Sequence, residues 1–318
     1  MNVFSVDLEL LGEMSQLPDS QKIFGALMYL FSKNELKTDE VSEFVRKIKE
    51  QETYFALSNI LPKDFLPVPK TFIEYRAGDS AFSNNKTVYS ALKKHDFAKE
   101  NKIKLYAENP QENLMDETGD DYISLEIEQQ VHINTEGVDE ESGSQKNHIF
   151  SVQRTICKYN LKGHNMNEFQ FYIRCEDDCK IIDLLKNNLN HIFTLGKRSS
   201  QGYNLFRLAG VQQADEIEKR YADKNNTYLN LGMLLPYSIV FTDEKSYLEL
   251  YSSERRTFSS DHWNDKTDRG HFISFIAPGS IVVSNCIEKA GKCEPVPKKR
   301  SANGEIVFGN AFLLPWRI

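Results

Sequence analysis

Apolar and polar residues alternate at the start of the chain and then recur at helical spacing. Residues 4–10 carry apolar side chains at every second position, which predicts a strand with one buried face. After Pro18 the spacing i, i+3, i+4, i+7 predicts a helix with Asp19 or Ser20 as its N-cap and with an apolar face made of Ile23, Phe24, Leu27, Leu30 and Phe31. A second amphipathic helix carries Val41, Phe44, Val45 and Ile48, and the strand-like TYFALSNIL follows.

The region from about 77 to 147 differs in kind, because it is polar, acidic in its second half and mostly without helical periodicity. Its alternating run YISLEIEQQVHI predicts a β-hairpin within an insertion. After it, EFQFYIR predicts a strand, CKIIDLLKNNLNHIF a helix, and YNLFRLAG a further strand. The order β, α, insertion, β, α, loop, β is that of the split βαβ arrangement called ferredoxin-like.

From about residue 212 the pattern becomes mostly β, with strand-like YLNLGMLLPY, SYLELYSS, HFISFIAPGSIVV and EIVFGNAFLLPW. Pro278-Gly279 predicts a tight turn between two of these strands. We therefore expect domains at 1–211 and 212–318, and 318 residues suffice for two cores. No Gly/Ser-rich or Pro-rich linker separates them, so we expect the domains to pack together.

The net charge and the length of the apolar runs argue against several classes of protein. The 46 acidic residues against 39 basic ones give a net charge of −7, which disfavours a general nucleic-acid binder. The charge is uneven, however, since bases gather near GKRSS and KKRS. Apolar runs such as AFLLPW are too short to span a bilayer, and the N-terminus lacks the basic region of a signal peptide. The expected location is cytoplasmic.

Candidate chemistry is sparse. The five cysteines include no CxxC pair, so we interpret them as ordinary thiols. DHWNDKTDRGH contains residue types that ligate metals but lacks ligand spacing, and a polar loop is favoured. Gly119-Asp120-Asp121 resembles a metal-binding turn of nucleotidyl transferases, although an acidic loop explains it better. No nucleophile motif is present. The sequence thus predicts no enzymatic activity, no metal and no cofactor.

The stretch LGKRSSQGYNLF, residues 195–206, carries more glycine and positive charge than a helix end requires. It is not a nucleotide-binding P-loop, because His191 and Arg198 occupy positions where that motif needs Gly and Ser or Thr. Two interpretations remain, a helix C-cap followed by a solvated turn, and a loop whose glycines and cations approach phosphate.

Several motifs occur in an order typical of one family: DSQKIFGAL, YFALSNILPKDFLPVPK, RTICKYN, LGKRSSQGYNLF, APGSIVV and VFGNAFLLP. With these the chain resembles the RAMP-superfamily subunit that caps the five-prime tag of crRNA in type III-A CRISPR interference (Csm) complexes, the fourth Csm subunit. The resemblance covers nearly the whole chain except the insertion. The family pattern S-D-T-L-F-x-A-L appears as residues 20–27, with Gln21 and Lys22 as departures. N-x-I-D-R appears as residues 154–158, with Lys158 where Arg is usual.

The family's glycine-rich loop, G-L-G-G-(K/R)-R-S-S-G-x-G, resembles residues 194–204, where Thr194, Gln201 and Asn204 replace small residues. The resemblance implies an α+β fold of two ferredoxin-like (RRM-like) RAMP domains packed together, the second degenerate, with a thumb-like insertion in the first. It also implies RNA contacts from Ser20, Lys22, Arg154, Lys158, Gly196, Lys197, Arg198, Ser199, Ser200, Gly202 and Tyr203.

The implied function is that of a non-catalytic subunit that binds and caps the crRNA tag and anchors a partner. The implied partners are crRNA, the large multidomain palm/cyclase signalling subunit, and the backbone RAMP subunit that repeats along the guide, with no membrane. One alternative is the corresponding subunit of a related type III complex or a crRNA-processing endoribonuclease, for which His95 is the one histidine in the first hundred residues. A metal-dependent cyclase or polymerase is a disfavoured second class.

Overall fold

The computed structural model describes residues 1–33, 38–69, 71, 105–107, 122–135, 147–159, 165–196, 198–222, 226–242, 245–255, 271–295 and 306–316. The strands there are β1 Asn2–Leu10, β2 Phe55–Leu57, β3 Leu61–Pro62, β4 Leu66–Pro67, β5 Leu105–Ala107, β6 Tyr122–Thr135, β7 Asn147–Tyr159, β8 Glu168–Cys175, β9 Ile192–Thr194, β10 Leu205–Gln213, β11 Thr227–Asn230, β12 Leu250–Arg255, β13 His271–Ile276, β14 Ile281–Val283, β15 Glu294–Pro295, β16 Ile306–Val307 and β17 Leu313–Pro315. The α-helices there are α1 Ser20–Lys33, α2 Thr38–Lys49, α3 Lys180–Asn187 and α4 Asp215–Lys219.

The N-terminal sheet has the strand order β2-β8-β1-β10-β9, with antiparallel neighbours, and β3 also pairs with β8. The elements β1, α1, β2, β8, α3 and β10 occur in the order βαββαβ, with α2, β3 to β7 and β9 as additions between them, and β1 lies between β8 and β10 in the sheet. This is the ferredoxin-like connectivity that the residue pattern predicts for this half of the chain.

Helix α1 buries the predicted apolar face of Ile23, Phe24, Leu27, Leu30 and Phe31. Its N-cap is Asp19, whose Oδ1 accepts the backbone N–H groups of Gln21 at 3.1 Å and Lys22 at 3.0 Å. The alternative cap, Ser20, is fully buried, and its hydroxyl accepts the backbone N–H of Met233 at 3.1 Å. The choice between the two caps is thus made by a contact with the C-terminal half.

The helix predicted over residues 179–193 is shorter than its periodicity indicates. Helix α3 ends at Asn187, and the Nδ2 of Asn188 donates to the carbonyl of Leu184 at 2.8 Å. Asn190 then takes a left-handed conformation, with φ of 69°, and residues 192–194 pair with β10 as β9. The prediction that a helix leads directly into the glycine-rich stretch was therefore wrong, because this stretch connects two paired strands.

Strands β6 and β7 form a long antiparallel hairpin, paired from Ile123↔Tyr159 to Thr135↔Asn147. Strands β4 and β5 extend this hairpin into a four-stranded sheet. The alternating run in the predicted insertion is indeed a strand, but its partner β7 begins at Asn147, where the predicted insertion ends. His95 and Gly119-Asp120-Asp121 lie outside the described residues, as does DHWNDKTDRGH apart from the backbone of His271.

The described C-terminal part is mostly β, as predicted. Strand β11 lies between β14 and β17, while β12 pairs with β13 and β15 with β16. Gly279 in the predicted turn has φ of +91°. A second ferredoxin-like domain stays a prediction, as do the domain boundaries.

Among the described residues, one hydrophobic core is shared by the two halves, and two smaller clusters are made of C-terminal residues. Phe24 of α1 stacks on Phe308, with ring centroids 4.3 Å apart and an angle of 11° between the ring planes. The backbone of Leu57 donates to the carbonyl of Asn310 at 3.1 Å and accepts the N–H of Phe312 at 2.9 Å.

All five cysteines are free thiols, as predicted. Within the described part of the chain, no helix is long and apolar enough to cross a membrane.

Candidate nucleic-acid interface

Three segments meet beside the N-terminal sheet: the post-β1 segment (residues 11–16), the glycine loop (residues 194–204), and the β6–β7 hairpin. Glu13 pairs with Tyr203 in an isolated parallel bridge, and the N–H of Asn204 donates to the carbonyl of Glu13 at 2.8 Å. On the other side of this segment, the N–H of Thr155 donates to the carbonyl of Met14 at 2.6 Å. The post-β1 segment is therefore held between the loop and the hairpin.

Asn204 fastens the loop to the post-β1 segment through its side chain. Its Oδ1 accepts the N–H of Ser15 at 3.0 Å, and its Nδ2 donates to the Ser15 hydroxyl at 2.8 Å. Asn204 is fully buried and has φ of 56°, a left-handed conformation that Asn tolerates better than most residues. The family-like pattern has a small residue here, and the asparagine supplies bonds that a small residue would lack.

The glycine loop follows an unusual backbone path. Gly196 has φ of +142° and Gly202 has φ of +82°, so both occupy conformations that favour glycine. Arg198 is also left-handed, with φ of 66°, and residues Ser199–Gln201 form one turn of 3-10 helix. A Cβ atom on Gly12 would lie 2.5 Å from the carbonyl oxygen of Gly202, so the two segments approach each other too closely for any other residue at position 12 without movement.

An open polar cleft of about 330 Å³ lies where the three segments meet. It is lined by Ser15, Gln16, Gln129, Ser151, Gln153 and Arg198. Its described lining thus supplies hydroxyls, amides and one guanidinium, and no carboxylate. The volume is at the lower end of the range of small-molecule sites, which is about the size of one nucleotide.

Three of the predicted RNA-binding cations form ion pairs within the protein. Lys22 lies 3.1 Å from Asp19, Arg154 lies 3.3 Å from Glu13, and Lys158 lies 3.2 Å from Glu126. These partly exposed pairs contribute little to stability, but each carboxylate offsets the charge that a phosphate would meet. Arg198 instead donates to the amide oxygen of Gln201 at 3.3 Å, and no described carboxylate pairs with it at the cleft. Lys197 lies outside the described residues.

The remaining predicted site residues divide into exposed and buried ones. Ser199 is half-buried and Ser200 is exposed on the glycine loop. Tyr203 is buried, and its hydroxyl donates to the amide oxygen of Gln130 at 3.3 Å. The neighbouring Glu13 carboxylate raises the pKa of Tyr203, which favours the neutral phenol. Ser20 is buried under the C-terminal half, and its hydroxyl is not accessible to a ligand in this structure.

The sequence reasoning missed Ser15, Gln16, Gln129, Ser151 and Gln153. Gln129 and Gln153 face each other across the hairpin, and Val131 faces Ser151 two positions further along. Period-two alternation places Gln129 on one face of β6, a signal that the sequence does contain. Its association with Gln16 and Arg198 depends on tertiary contacts and has no local signal.

Within the described residues, no group of three or more His, Cys, Asp and Glu side chains could hold a metal ion.

Solved structures with the same fold cover the whole chain. A chain of "Csm1-Csm4 cassette in complex with pppApA" matches 100% of this chain and 99% of its own length, with a TM-score of 0.53 and 15% sequence identity. A chain of the cassette in complex with AMPPNP has the same coverage, with a TM-score of 0.52 and 16% identity. No family model matches the sequence, and no curated protein does. The resemblance stated from the sequence is thus confirmed at the level of the fold.

Proposed function

We propose that this protein is a non-catalytic RAMP subunit of a type III-A CRISPR interference complex, in which it binds and caps the five-prime tag of crRNA. The observation that carries the proposal is the cleft formed by the glycine loop, the post-β1 segment and the β6–β7 hairpin. Its described lining has one guanidinium and otherwise neutral hydrogen-bonding groups, which suits an unpaired RNA strand. Its size suits one nucleotide at a time.

The fold supports membership of a Csm-type assembly. The matching chains with TM-scores of 0.53 and 0.52 belong to Csm1-Csm4 cassettes. We therefore propose that the large multidomain signalling subunit is a partner of this protein, which would anchor that subunit at the tag end of the guide. The repeating backbone subunit is proposed as a second partner from the sequence resemblance alone. A cytoplasmic location follows from this role.

We also propose that the subunit is not an enzyme. The described lining of the cleft contains no carboxylate, imidazole or thiol, and so no group that acts readily as a general base. Incubation of the purified chain with a labelled repeat RNA, with and without Mg²⁺ or Mn²⁺, should leave the RNA intact. Cleavage that is lost in His95→Ala would contradict this expectation and favour a processing endoribonuclease.

The central test is capture of RNA from an assembled complex. The full chain is expressed with the other subunits of a type III-A complex and a CRISPR array, purified through an affinity tag on this chain, and the bound RNA is sequenced. We expect RNAs that share one five-prime end, together with the large subunit. An assembled complex that contains no RNA would contradict the proposal.

The role of Arg198 is tested by the salt dependence of binding. One lost phosphate contact to single-stranded RNA lowers the slope of log affinity against log salt by about 0.7. Arg198→Ala should show this change equally for all RNA sequences, and its unfolding should resemble that of the wild type, because the side chain is exposed. Arg46→Ala is the matched control, since Arg46 lies on α2 and is paired with Glu43 and Glu52. An unchanged slope in Arg198→Ala would remove Arg198 from the RNA site.

A further inference from the structure

The cleft contains an arrangement of glutamine amides that phosphate binding does not require. Gln129 of β6 and Gln153 of β7 lie directly opposite each other in the hairpin, and both line the cleft. Gln16 of the post-β1 segment, next to Ser15 in the chain, also lines the cleft. None of the three amide groups has a side-chain hydrogen bond to another residue within the described ranges. Three primary amides therefore face a cleft with their hydrogen-bonding groups available.

A glutamine amide can donate to phosphate, but its acceptor oxygen has no role in that contact. A glutamine side chain presents one acceptor and two donors and carries no charge, whereas phosphate oxygens only accept and are best matched by Arg, Lys or backbone N–H groups. The edge of a nucleobase presents donors and acceptors side by side, and glutamine pairs with such an edge through two hydrogen bonds. The neutral wall of the cleft thus fits a base, and Arg198 fits the phosphate attached to it.

Two apolar side chains border the amide pair on the same strand. Ile127 and Val131 lie two positions before and after Gln129, on the same face of β6, and their side chains are 56% and 67% exposed. Exposed aliphatic groups beside a polar cleft provide a surface for the flat face of a base, whose edge then meets Gln129 and Gln153. Thr155 lies directly opposite Ile127 in the hairpin, and its hydroxyl donates to the carbonyl of Ser15, so the post-β1 segment covers this position.

We propose that this cleft recognises the base of one unpaired RNA nucleotide, with Gln129 and Gln153 reading its edge, Gln16 as a further lining amide, and Arg198 at its phosphate. The proposal rests on the proposed RNA-binding function and adds base specificity to it. The ligand class is single-stranded RNA, and the reading residues are outside the set that the sequence motifs indicate. Base reading and phosphate binding can be tested separately, because the glutamine amides are neutral and Arg198 is charged.

The test measures binding of the full-length protein to labelled eight-nucleotide RNAs by fluorescence anisotropy at one salt concentration. The RNAs are an all-uridine octamer and variants with a single A, C or G at each position. For the wild type we expect one position at which the four bases differ in affinity by about 5- to 150-fold, the range that a good bidentate base contact provides. The double variant Gln129→Ala, Gln153→Ala should reduce that ratio to about one.

Three controls separate base reading from loss of folding or of phosphate binding. Gln212→Ala removes an exposed glutamine from β10, outside the cleft, and should keep the preference. Gln129→Glu keeps the size of the side chain but replaces the amide donors by acceptors, so it should change which base binds best. The double alanine variant should keep the salt slope of the wild type, whereas Arg198→Ala lowers it and keeps the base preference.

The outcomes distinguish this inference from the function on which it rests. If the wild type binds RNA but shows no preference at any position, or if the double variant keeps the preference, base reading by this cleft is refuted while RNA binding stands. If neither the chain nor the assembled complex binds RNA, the proposed function fails and the inference fails with it. A salt slope that falls in the double glutamine variant would also contradict the assignment, since neutral side chains release no counterions.

Discussion

Asn204 connects two segments that are 189 positions apart in the sequence, and its side chain is the link between the glycine loop and Ser15. Full burial means that water cannot replace the two hydrogen bonds if the side chain is shortened. The position also requires a left-handed backbone, so a substitution combines two costs, one for the bonds and one for the conformation.

We predict that Asn204→Ala lowers the free energy of unfolding by about 2 to 4 kcal/mol, because it leaves the Ser15 N–H without its acceptor and strains the backbone. Urea denaturation measures this change. Asn190→Ala is the matched control, since Asn190 has φ of 69° and is exposed, so it reports the conformational cost alone. Equal destabilisation by the two variants would show that the bonds to Ser15 contribute nothing.

Tyr54 gives a second prediction at the scale of a residue. Burial raises the pKa of Tyr54 to about 12, although the guanidinium of Arg174, centred 5.2 Å from its ring, acts in the opposite direction. Below pH 10 the phenol is neutral in both the folded and the unfolded chain. Between pH 10 and 12 the unfolded chain ionises first, so the folded state loses stability as pH rises.

The free energy of unfolding should therefore fall from pH 10 upward, by as much as about 1.4 kcal/mol per pH unit for this one group. Tyr172 and Tyr221 act in the same direction, because burial raises their pKa values too. Urea denaturation at several pH values from 9 to 11.5 should show a shallower fall for Tyr54→Phe than for the wild type. Parallel curves would contradict the assignment to Tyr54.

At the scale of elements, the cleft depends on how closely the post-β1 segment approaches the glycine loop. Gly12 is the point of contact, and nothing in its local sequence separates it from an ordinary glycine after a strand. Gly25 offers a comparison, because it lies in the middle of α1 and a Cβ atom there would meet nothing within 4 Å.

Gly12→Ala should destabilise the protein by about 1 to 3 kcal/mol, since the added methyl group forces the two segments apart. Gly25→Ala should stabilise it by about 0.5 to 1 kcal/mol, because alanine loses less backbone entropy in a helix than glycine does. Thermal or urea denaturation of both variants measures the opposite signs. A neutral Gly12→Ala would mean that the segments separate without cost.

For the whole molecule, the shared core predicts that both halves unfold together. Phe308 is 1% exposed and contacts the rings of Phe24 and Phe55, so it belongs to the core of the N-terminal half although it lies near the C-terminus of the chain. A side chain that completes the core of the other half couples the stability of the two.

Phe308→Ala should lower the free energy of unfolding by about 3 to 5 kcal/mol. In a Trp263→Phe background, the fluorescence of buried Trp316 reports the C-terminal part, and far-UV circular dichroism reports helices α1 to α3. The two signals should change together in urea for Phe308→Ala and for its parent. Phe241→Ala, at a side chain that is 65% exposed, should change stability by no more than about 0.5 kcal/mol. Two separate transitions would contradict the shared core.

The sequence by itself determined the elements whose signals are local. Period-two and helical spacings located β1, α1 and β8, and the motif order indicated the fold that the solved structures share. The positive φ angles of Gly196 and Gly202 agree with the close backbone approach expected of the loop. These features depend on a few consecutive residues, so the pattern contains them.

Only the tertiary structure decided what the loop contacts and which cations have a carboxylate partner. Helical spacing continued past Asn187 in the sequence, but pairing of residues 192–194 with β10 ended the helix earlier. Lys22, Arg154 and Lys158 resembled RNA-binding cations until their carboxylate partners were placed beside them. Gln16, Gln129 and Gln153 form one cleft because the chain folds back on itself. Contacts between residues far apart in sequence do not alter the local spacing of apolar and polar residues, because that spacing depends only on neighbouring positions in the chain.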